Sequence, residues 1–201
     1  MFVQVIQAKA KDPAGLRKQW DRWEQEIKPN ATGFLGSTGG VTADGQFIVL
    51  ARFESEEAAR AQSDNPAQGE WWEETSQYLD NPMFHDCTNV ELQHDGGSDK
   101  AGFVQVMQGK VTDIEKARAL DRETDAQMSS LRPDVLGGIV AWHPSGRFTN
   151  AIYFTSETEA RANEKAMESS SDFKKMMAEW QAISDGETEF LDLKEPWFSS
   201  P

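Results

Sequence analysis

The chain has 201 residues, 38% hydrophobic and 27% charged, a composition typical of a folded globular protein with enough apolar residues for a core. Its net charge of −14 is spread along the sequence and repels nucleic-acid phosphates and anionic lipids, so neither nucleic acid nor a membrane is an expected partner. The single cysteine excludes an internal disulfide, and the sequence shows no signal peptide and no apolar run long enough to span a membrane, so we expect a cytoplasmic protein.

The first elements along the chain are a strand and an amphipathic helix. Residues 2–9 are rich in apolar and β-branched residues, which indicates a strand. Asp12-Pro13 is typical of a helix start, because an N-cap acceptor is followed by proline at the first helical position. Helical spacing then predicts one apolar face, made of Leu16, Trp20, Trp23 and Ile27.

The rest of the first half predicts a hairpin, a second helix and a last strand. Asp44-Gly45 is the hairpin turn signal. Ser55 can cap the second helix, which we expect to break between Ser63 and Pro66. The predicted elements are strands at 34–41 and 47–53, a helix from Ser55 to about Leu79 and a strand at 83–92. Their order with the first two elements is β-α-β-β-α-β.

The second half repeats the first at a constant offset of 101 residues. Phe2-Val3-Gln4-Val5 returns as Phe103-Val104-Gln105-Val106, and Leu35-Gly36 returns as Leu136-Gly137. A unit of about 100 residues has the size of a small domain. We therefore predict a first repeat at 1–92, a linker at 93–100 and a second repeat at 101–201.

The predicted fold class is α+β, with two ferredoxin-like repeats. In such a repeat the helices cover one face of the sheet and leave the other face free. Two sheets in one chain can bury their free faces against each other. We therefore expect an intramolecular version of a dimeric α+β barrel, which makes the chain a monomer with an internal pseudo-dimer and leaves further dimerisation open.

Two segments of each repeat resemble a known family. Gly33-Phe34-Leu35-Gly36 leads from a helix into a strand, and Phe53-Glu54-Ser55-Glu56-Glu57-Ala58 forms the next strand-to-helix corner. With their second copies at Leu136-Gly137 and at 154–160, they resemble the antibiotic-biosynthesis-monooxygenase-type domain of the dimeric α+β barrel superfamily. The resemblance covers essentially the whole chain. It implies the same fold, and the family includes cofactor-free oxygenases of polycyclic phenols and haem-degrading enzymes.

The haem-degrading branch of that family can be compared residue by residue. The resemblance places Gln7 at its first-strand asparagine, Gln62 at its second-helix tryptophan and Trp71 at its iron-binding histidine. In the second copy these places hold Gln108, Asn163 and Asp172. Because neither copy retains the axial histidine, the comparison disfavours haem degradation, and we expect no cofactor.

The cofactor-free oxygenases imply a different site, an apolar pocket between the helices and the sheet of a repeat. A phenol or anthrone bound there reacts with oxygen once it is deprotonated. The candidate lining residues are Gln7, Trp20, Trp23, Trp71 and Trp72 in the first repeat and Gln108, Met128, Phe173, Met177 and Trp180 in the second. His85 is the candidate catalytic base, because histidine is the side chain that titrates nearest neutral pH.

Most of these residues also have a purely structural interpretation. Trp20 and Trp23 share a face with other core residues, so packing of the helix on the sheet is the favoured interpretation of both. Trp71 and Trp72 are adjacent on a helix and point about 100° apart, so only one can lie at the centre of a buried face. Alignment with Phe173 places Trp71 in the core, which leaves Trp72, aligned with Lys174, exposed or at the mouth of a cavity.

His85-Asp86-Cys87 could suggest a metal site or a nucleophile. On a strand His85 and Cys87 share one face, but two ligands are too few for zinc, and the second copy has Leu191-Asp192-Leu193 at this place. We therefore expect no metal site here.

Two function classes remain open from the sequence. One is a small-molecule-binding protein, in its most specific form a cofactor-independent monooxygenase acting on an aromatic or polyketide-like substrate. The other is a non-catalytic tandem domain that binds a ligand or a partner. Fused copies can diverge, and the tryptophans and His85 are concentrated in the first repeat. The first repeat is therefore the better candidate for the functional pocket.

Overall fold

The computed structural model describes residues 1–94 and 96–201, and of residues 127–130 only the helical backbone. By compactness the chain divides into two units. The first unit contains Met1–Asn89 and Glu195–Pro201, and the second contains Val90–Lys194. Each unit is one five-stranded antiparallel sheet with helices on one face, so the predicted pair of α+β repeats is confirmed.

The first unit begins with strand β1 (Phe2–Ala10) and helix α1 (Pro13–Glu26), followed by a 3-10 turn at Lys28–Asn30. Its remaining elements are β2 (Phe34–Val41), β3 (Gln46–Phe53), α2 (Glu56–Ser63), α3 (Pro66–Ser76), β4 (Leu79–Cys87) and, from the end of the chain, β10 (Trp197–Ser199). The strand order in the sheet is β10-β2-β3-β1-β4.

The second unit follows the same plan. Its elements are β5 (Asn89–Gln93), β6 (Phe103–Lys110), α4 (Ile114–Leu131), β7 (Val135–Trp142), β8 (Arg147–Phe154), α5 (Glu157–Met167), α6 (Ser171–Gln181) and β9 (Glu189–Leu193). The strand order is β5-β7-β8-β6-β9, so β5 occupies the edge that β10 occupies in the first sheet. Both sheets are open, and the barrel expected from their free faces stays a prediction.

The helices begin where their capping residues predict. The Asp12 carboxylate accepts hydrogen bonds from the backbone N–H groups of Ala14 and Gly15, at 3.1 and 3.0 Å. Ser55 caps α2 in the same way, accepting from the Ala58 N–H at 3.2 Å. The expected break in the second helix is confirmed, because α2 ends at Ser63 and α3 begins at Pro66.

Strand alternation decides which side of the first sheet meets the helices. Ile6 packs with the helices and contributes to the core cluster around Leu16, whereas Val5 points to the opposite face, where it is fully buried. In β3, Phe47 belongs to the helix-facing core, and Ile48 is fully buried on the other face. The side chains that the sheet contributes to the space below the helices therefore come from one alternating set of strand residues.

The structure differs from the sequence prediction in its last strands. The single strand expected at 83–92 is two strands, β4 in the first sheet and β5 in the second. The predicted second helix ends at Ser76, and Leu79 already belongs to β4. β10 is absent from the predicted elements. β5 pairs within the second sheet, and β10 pairs within the first. The compact units therefore have different bounds from the predicted segments 1–92 and 101–201.

Among the residues that the structure describes, none of the helices is at once long enough and apolar enough to cross a membrane.

Candidate functional site

A cavity lies in the first unit between its helices and the helix-facing side of its sheet. The centre of a water molecule can move through about 100 Å³ of it, and the empty space between its walls, including the open mouth, is about 780 Å³. Gln4 and Ile6 of β1 and Phe47, Val49 and Ala51 of β3 form its floor. Because these residues alternate along their strands, they present one face of the sheet to the cavity.

Aromatic side chains form a large part of the cavity lining. Its aromatic side chains are Trp20, Trp23, Phe34, Phe47, Phe53, Trp71, Trp72 and Trp197. Trp23 meets Phe34 at a centroid distance of 4.9 Å with the ring planes 62° apart, an edge-to-face contact. Such contacts fix the orientation of the rings, so the wall is formed by packed groups with defined positions.

Helix α3 contributes two neighbouring tryptophans, Trp71 and Trp72. The Trp71 indole N–H donates to the backbone carbonyl of Gln19 at 2.9 Å, which joins α3 to α1. Trp72 packs against the core cluster and contacts the Phe84 ring at a centroid distance of 5.1 Å. Both tryptophans are half-buried and line the cavity, so neither is a pure core residue.

The C-terminal strand β10 completes the wall with Trp197. Its ring is buried and meets Trp20 edge to face, with centroids 5.7 Å apart. It also contacts Phe47, and the Arg17 guanidinium lies over it at 5.6 Å. Trp197 is not among the pocket residues predicted from the sequence. The available signal was the segment Trp197-Phe198-Ser199, whose two aromatic residues favour a strand.

The polar groups of the cavity are amides and hydroxyls. They belong to Gln4, Ser37, Gln62, Ser63, Gln68 and Thr75. Gln62 is buried at the end of α2, and Gln68 follows on the first turn of α3. Among the described residues that line the cavity, none is an Asp, Glu, His, Lys, Arg, Tyr or Cys. The cavity is therefore lined by neutral groups throughout the described part of the chain.

Gln7 and His85, which the sequence analysis placed in the pocket, lie on the other face of the sheet. His85 is directly opposite Val5 in the β1–β4 pairing, and Gln7 is opposite Ile48 in the β1–β3 pairing. Directly paired residues point to the same side of an antiparallel sheet, and Val5 and Ile48 point away from the helices. A base at His85 inside this cavity is therefore a prediction that the strand register contradicts.

The two residues after His85, Asp86 and Cys87, are not among those that line the cavity, although Asp86 lies directly opposite Gln4 on the cavity side of the sheet. Burial, reinforced by the charge of Asp86, raises the pKa of the Cys87 thiol to about 11, which leaves it protonated at neutral pH. Asp86 accepts a hydrogen bond from the Gln4 amide at 3.0 Å and is exposed. Throughout the described residues, no group of three or more His, Cys, Asp or Glu side chains is arranged to hold a metal ion.

The candidate residues of the second repeat lie in the second unit and are described there. The Gln108 amide donates to the Thr149 hydroxyl at 2.9 Å, next to it in the sheet. Trp180 packs against the core cluster around Ile183, Phe173 is half-buried, and Met177 is exposed. Met128 lies outside the residues whose side chains the structure describes.

The structural equivalences between the repeats differ from those expected for the helices. The N-caps Asp12 and Asp113 keep the offset of 101 residues, so Trp20 corresponds to Asp121. Helix α5 is three residues longer than α2, and the connection that follows it is one residue longer, so the offset grows to 105 residues between α3 and α6. Trp71 and Trp72 accordingly correspond to Met176 and Met177, and the expected pairing with Phe173 and Lys174 is wrong.

A polar cluster in the second unit takes the place of the Trp20–Trp197 contact. The Asp121 carboxylate accepts a hydrogen bond from the Gln93 amide of β5 at 2.8 Å, and both side chains are buried. Burial raises the pKa of Asp121 to about 6. Beside it, Glu91 accepts a hydrogen bond from the Trp142 indole at 3.1 Å and pairs with Arg118 at 3.1 Å. The two repeats therefore differ at the place where the first unit has its cavity.

No protein-family model and no curated protein matches the sequence. Among solved structures, the chain is similar to a candidate monooxygenase from Lactobacillus acidophilus, with a TM-score of 0.73, 10% identity and coverage of 99% of this chain and 96% of the other. A candidate monooxygenase from Fusobacterium nucleatum gives a TM-score of 0.72 at 9% identity, covering 96% and 90%. An anthrone oxidase-like protein gives 0.67 at 11% identity, covering 99% and 92%.

The chain has the tandem monooxygenase-like fold of these proteins. Full-length coverage in both directions shows that the duplication belongs to the fold that they share. At identities of 9 to 11% the likeness concerns the backbone. What a tandem monooxygenase-like fold does depends on the side chains of its site.

Proposed function

We propose that the first unit binds a small, neutral, planar aromatic molecule in the cavity between its helices and its sheet. One observation carries the proposal: eight aromatic side chains line this cavity, together with amides and hydroxyls, and no ionisable group is found among the described lining residues. The tandem monooxygenase-like fold supports it, because a pocket between helices and sheet is where the family resemblance places substrates.

The chemistry of the wall favours a neutral ligand over a charged one. Aromatic rings attract other rings in offset or edge-to-face geometry. A charged ligand that entered this space would lose its hydration and find no counter-charge, which costs several kcal/mol. An apolar cavity of about 150 Å³ accommodates a benzene ring. The enclosed space here, about 100 Å³, is smaller, so a ring bound in it must also occupy part of the open mouth.

Thermal denaturation of the purified protein tests this proposal. The probes are naphthalene and anthrone as neutral aromatics, with flavin mononucleotide and haem as charged cofactors. At 100 times its Kd a ligand adds about 2.7 kcal/mol to the free energy of unfolding, which, at about 2–4 °C per kcal/mol, raises the Tm of a chain of this size by roughly 5–11 °C. We expect a rise with the neutral aromatics only. A rise with flavin or haem and none with the neutral aromatics contradicts the proposal.

Oxygenation of the bound molecule is a second candidate function, favoured by the structural likeness to candidate monooxygenases and to an anthrone oxidase-like protein. In the simplest case, anthrone and O₂ give anthraquinone and water. The methylene carbon gains one oxygen atom as a carbonyl and loses both hydrogens to the other oxygen atom, so no external reductant is needed. The step that starts this reaction is removal of a proton from the methylene carbon.

The cavity supplies no base for that proton among the described lining residues, which is why we rank binding above oxygenation. An oxygen electrode distinguishes the two functions. If the protein is a binding protein, anthrone consumes oxygen no faster with the protein than in buffer of the same pH. Oxygen uptake that scales with protein concentration would establish the monooxygenase.

A further inference from the structure

Two glutamines in the cavity are held in defined orientations by a single hydrogen-bonded chain. The Trp23 indole N–H donates to Oε1 of Gln68 at 2.8 Å, and Nε2 of Gln62 donates to the same oxygen at 3.0 Å. All three residues line the cavity. Gln62 is only 7% exposed, so its polar atoms need partners inside the fold or in the cavity.

The chemistry of the indole settles which way each amide points. An indole nitrogen is a donor only, so Gln68 must present its carbonyl oxygen to Trp23 and therefore directs its NH₂ group elsewhere. Since Gln62 bonds to that same oxygen, it must present its NH₂ there and direct its carbonyl oxygen elsewhere. The usual ambiguity of amide orientation is absent from this pair.

This leaves one donor group and one acceptor atom for a ligand. In the part of the chain that the structure describes, no protein group is hydrogen-bonded to Nε2 of Gln68 or to Oε1 of Gln62. Unpaired amide groups in an apolar cavity are costly unless water or a ligand meets them. A ligand that meets both must offer an acceptor to Gln68 and a donor to Gln62.

We propose that Gln62 and Gln68 select, among planar aromatic molecules, those that carry both a carbonyl group and an N–H or O–H group. The ligand carbonyl accepts from Nε2 of Gln68, and the ligand N–H or O–H donates to Oε1 of Gln62. The proposal rests on the proposed function, because it assigns the ligand class of the same cavity. Trp23 is a positioning residue, since it acts through Gln68.

The second unit does not retain this arrangement. Asn163 occupies the place of Gln62, and its amide donates instead to Asp134 at 2.7 Å. Phe173 occupies the place of Gln68, which removes the amide altogether. The place of Trp23 holds Thr124. The donor and acceptor pair is therefore a property of the first unit and not a requirement of the fold.

Three bicyclic probes of nearly equal shape test the selection: naphthalene has neither group, chromone has the carbonyl only, and 4-quinolone has the carbonyl and an N–H. Calorimetric titration of the whole protein should give affinities in the order 4-quinolone, chromone, naphthalene, with a 3- to 10-fold step for each added hydrogen bond. Equal affinities for the three probes would overturn the proposal while leaving the proposed function intact.

The variant Gln68→Glu sharpens the test. Its carboxylate still accepts from Trp23 and Gln62 but has no NH₂ to donate. We expect chromone and 4-quinolone to lose at least 3-fold in affinity relative to naphthalene. Naphthalene forms no hydrogen bond, so its affinity shows whether the cavity is intact. A matched control is Gln25→Glu, which adds the same charge at an exposed glutamine of α1 and should change none of the three affinities.

The outcomes separate the two proposals. If none of the three probes binds the unaltered protein, the proposed function fails. If naphthalene binds and Gln68→Glu lowers the affinity of all three probes by the same factor, the cavity binds aromatics and the role of the amide pair is refuted. A second variant, Gln62→Met, removes the acceptor together with the NH₂ group that donates to Gln68, which still accepts from Trp23. It should abolish the advantage of 4-quinolone over chromone.

Discussion

Trp20 and Trp197 meet edge to face, with ring centroids 5.7 Å apart, although they come from opposite ends of the chain. Gly39 of β2 makes room for this contact. It is the direct partner of Trp197 in the sheet, and a Cβ atom there would lie 3.2 Å from the Trp20 ring and 2.8 Å from Val49. The C-terminal strand is therefore part of the cavity wall.

Replacing Trp197 by alanine should destabilise the protein strongly. The side chain is 8% exposed and packs on Trp20 and Phe47, so its removal leaves a void in a core cluster. Truncating a buried tryptophan costs about 3–5 kcal/mol. Urea denaturation measures this loss. The matched control is Phe190→Ala, a truncation at a side chain 58% exposed, for which we expect about 0.5 kcal/mol or less. Similar losses for both variants would contradict the assigned role of Trp197.

Trp72→Ala should weaken the binding of naphthalene, and Met177→Ala should not. The two residues occupy the same place in α3 and α6, but only Trp72 lines the cavity of the first unit. Loss of an aromatic contact of about 1.5 kcal/mol corresponds to roughly tenfold in Kd. Calorimetric titration of the two variants gives the comparison. Equal changes in Kd for the two variants would mean that naphthalene does not bind specifically in the cavity of the first unit.

His85→Ala should leave both binding and any oxygen uptake unchanged. His85 lies opposite Val5 on the face of the sheet that does not meet the helices, so it cannot reach a molecule in the cavity. The measurement is the Kd of naphthalene together with the pH profile of oxygen uptake with anthrone. A shift of that profile in His85→Ala would restore histidine as the base and refute the location of the site.

Asp121→Asn should stabilise the protein at neutral pH and flatten its pH dependence. Burial raises the folded-state pKa from 3.8 to about 6, with Glu91 and Asp125 adding to the rise and Gln93 and Arg122 opposing it. Between about pH 4 and 6 the folded state then holds more protons than the unfolded state, so the free energy of unfolding falls as the pH rises through that window. At 1.36 kcal/mol per pH unit the cost above pH 6 approaches roughly 3 kcal/mol.

Urea denaturation at pH 4 and pH 7.5 measures this effect. Asparagine can still accept the hydrogen bond from Gln93, so the gain should be confined to the higher pH. Glu187→Gln, at an exposed carboxylate, serves as the control and should show the pH dependence of the unaltered protein. A gain of the same size at both pH values would show that packing, and not the carboxyl charge, is responsible.

The sequence was sufficient for the elements that depend on local chemistry. The constant offset between Phe2 and Phe103 predicts the duplication, and the caps Asp12 and Ser55 predict where α1 and α2 begin, because an N-cap satisfies backbone groups within its own turn. The spacing of Trp20 and Trp23 likewise predicts that they share a face of α1. These features need no knowledge of the neighbouring strands.

Only the tertiary structure decided which of the candidates meet. Sequence alternation puts His85 and Cys87 on one face of a strand, but the register of β4 on β1 determines that this face points away from the helices. The bond between Gln62 and Gln68 depends on the angle between α2 and α3, and Trp197 reaches the cavity only because β10 pairs with β2. Periodicity within an element is local and therefore visible in the sequence, whereas register and strand order arise from contacts between distant segments.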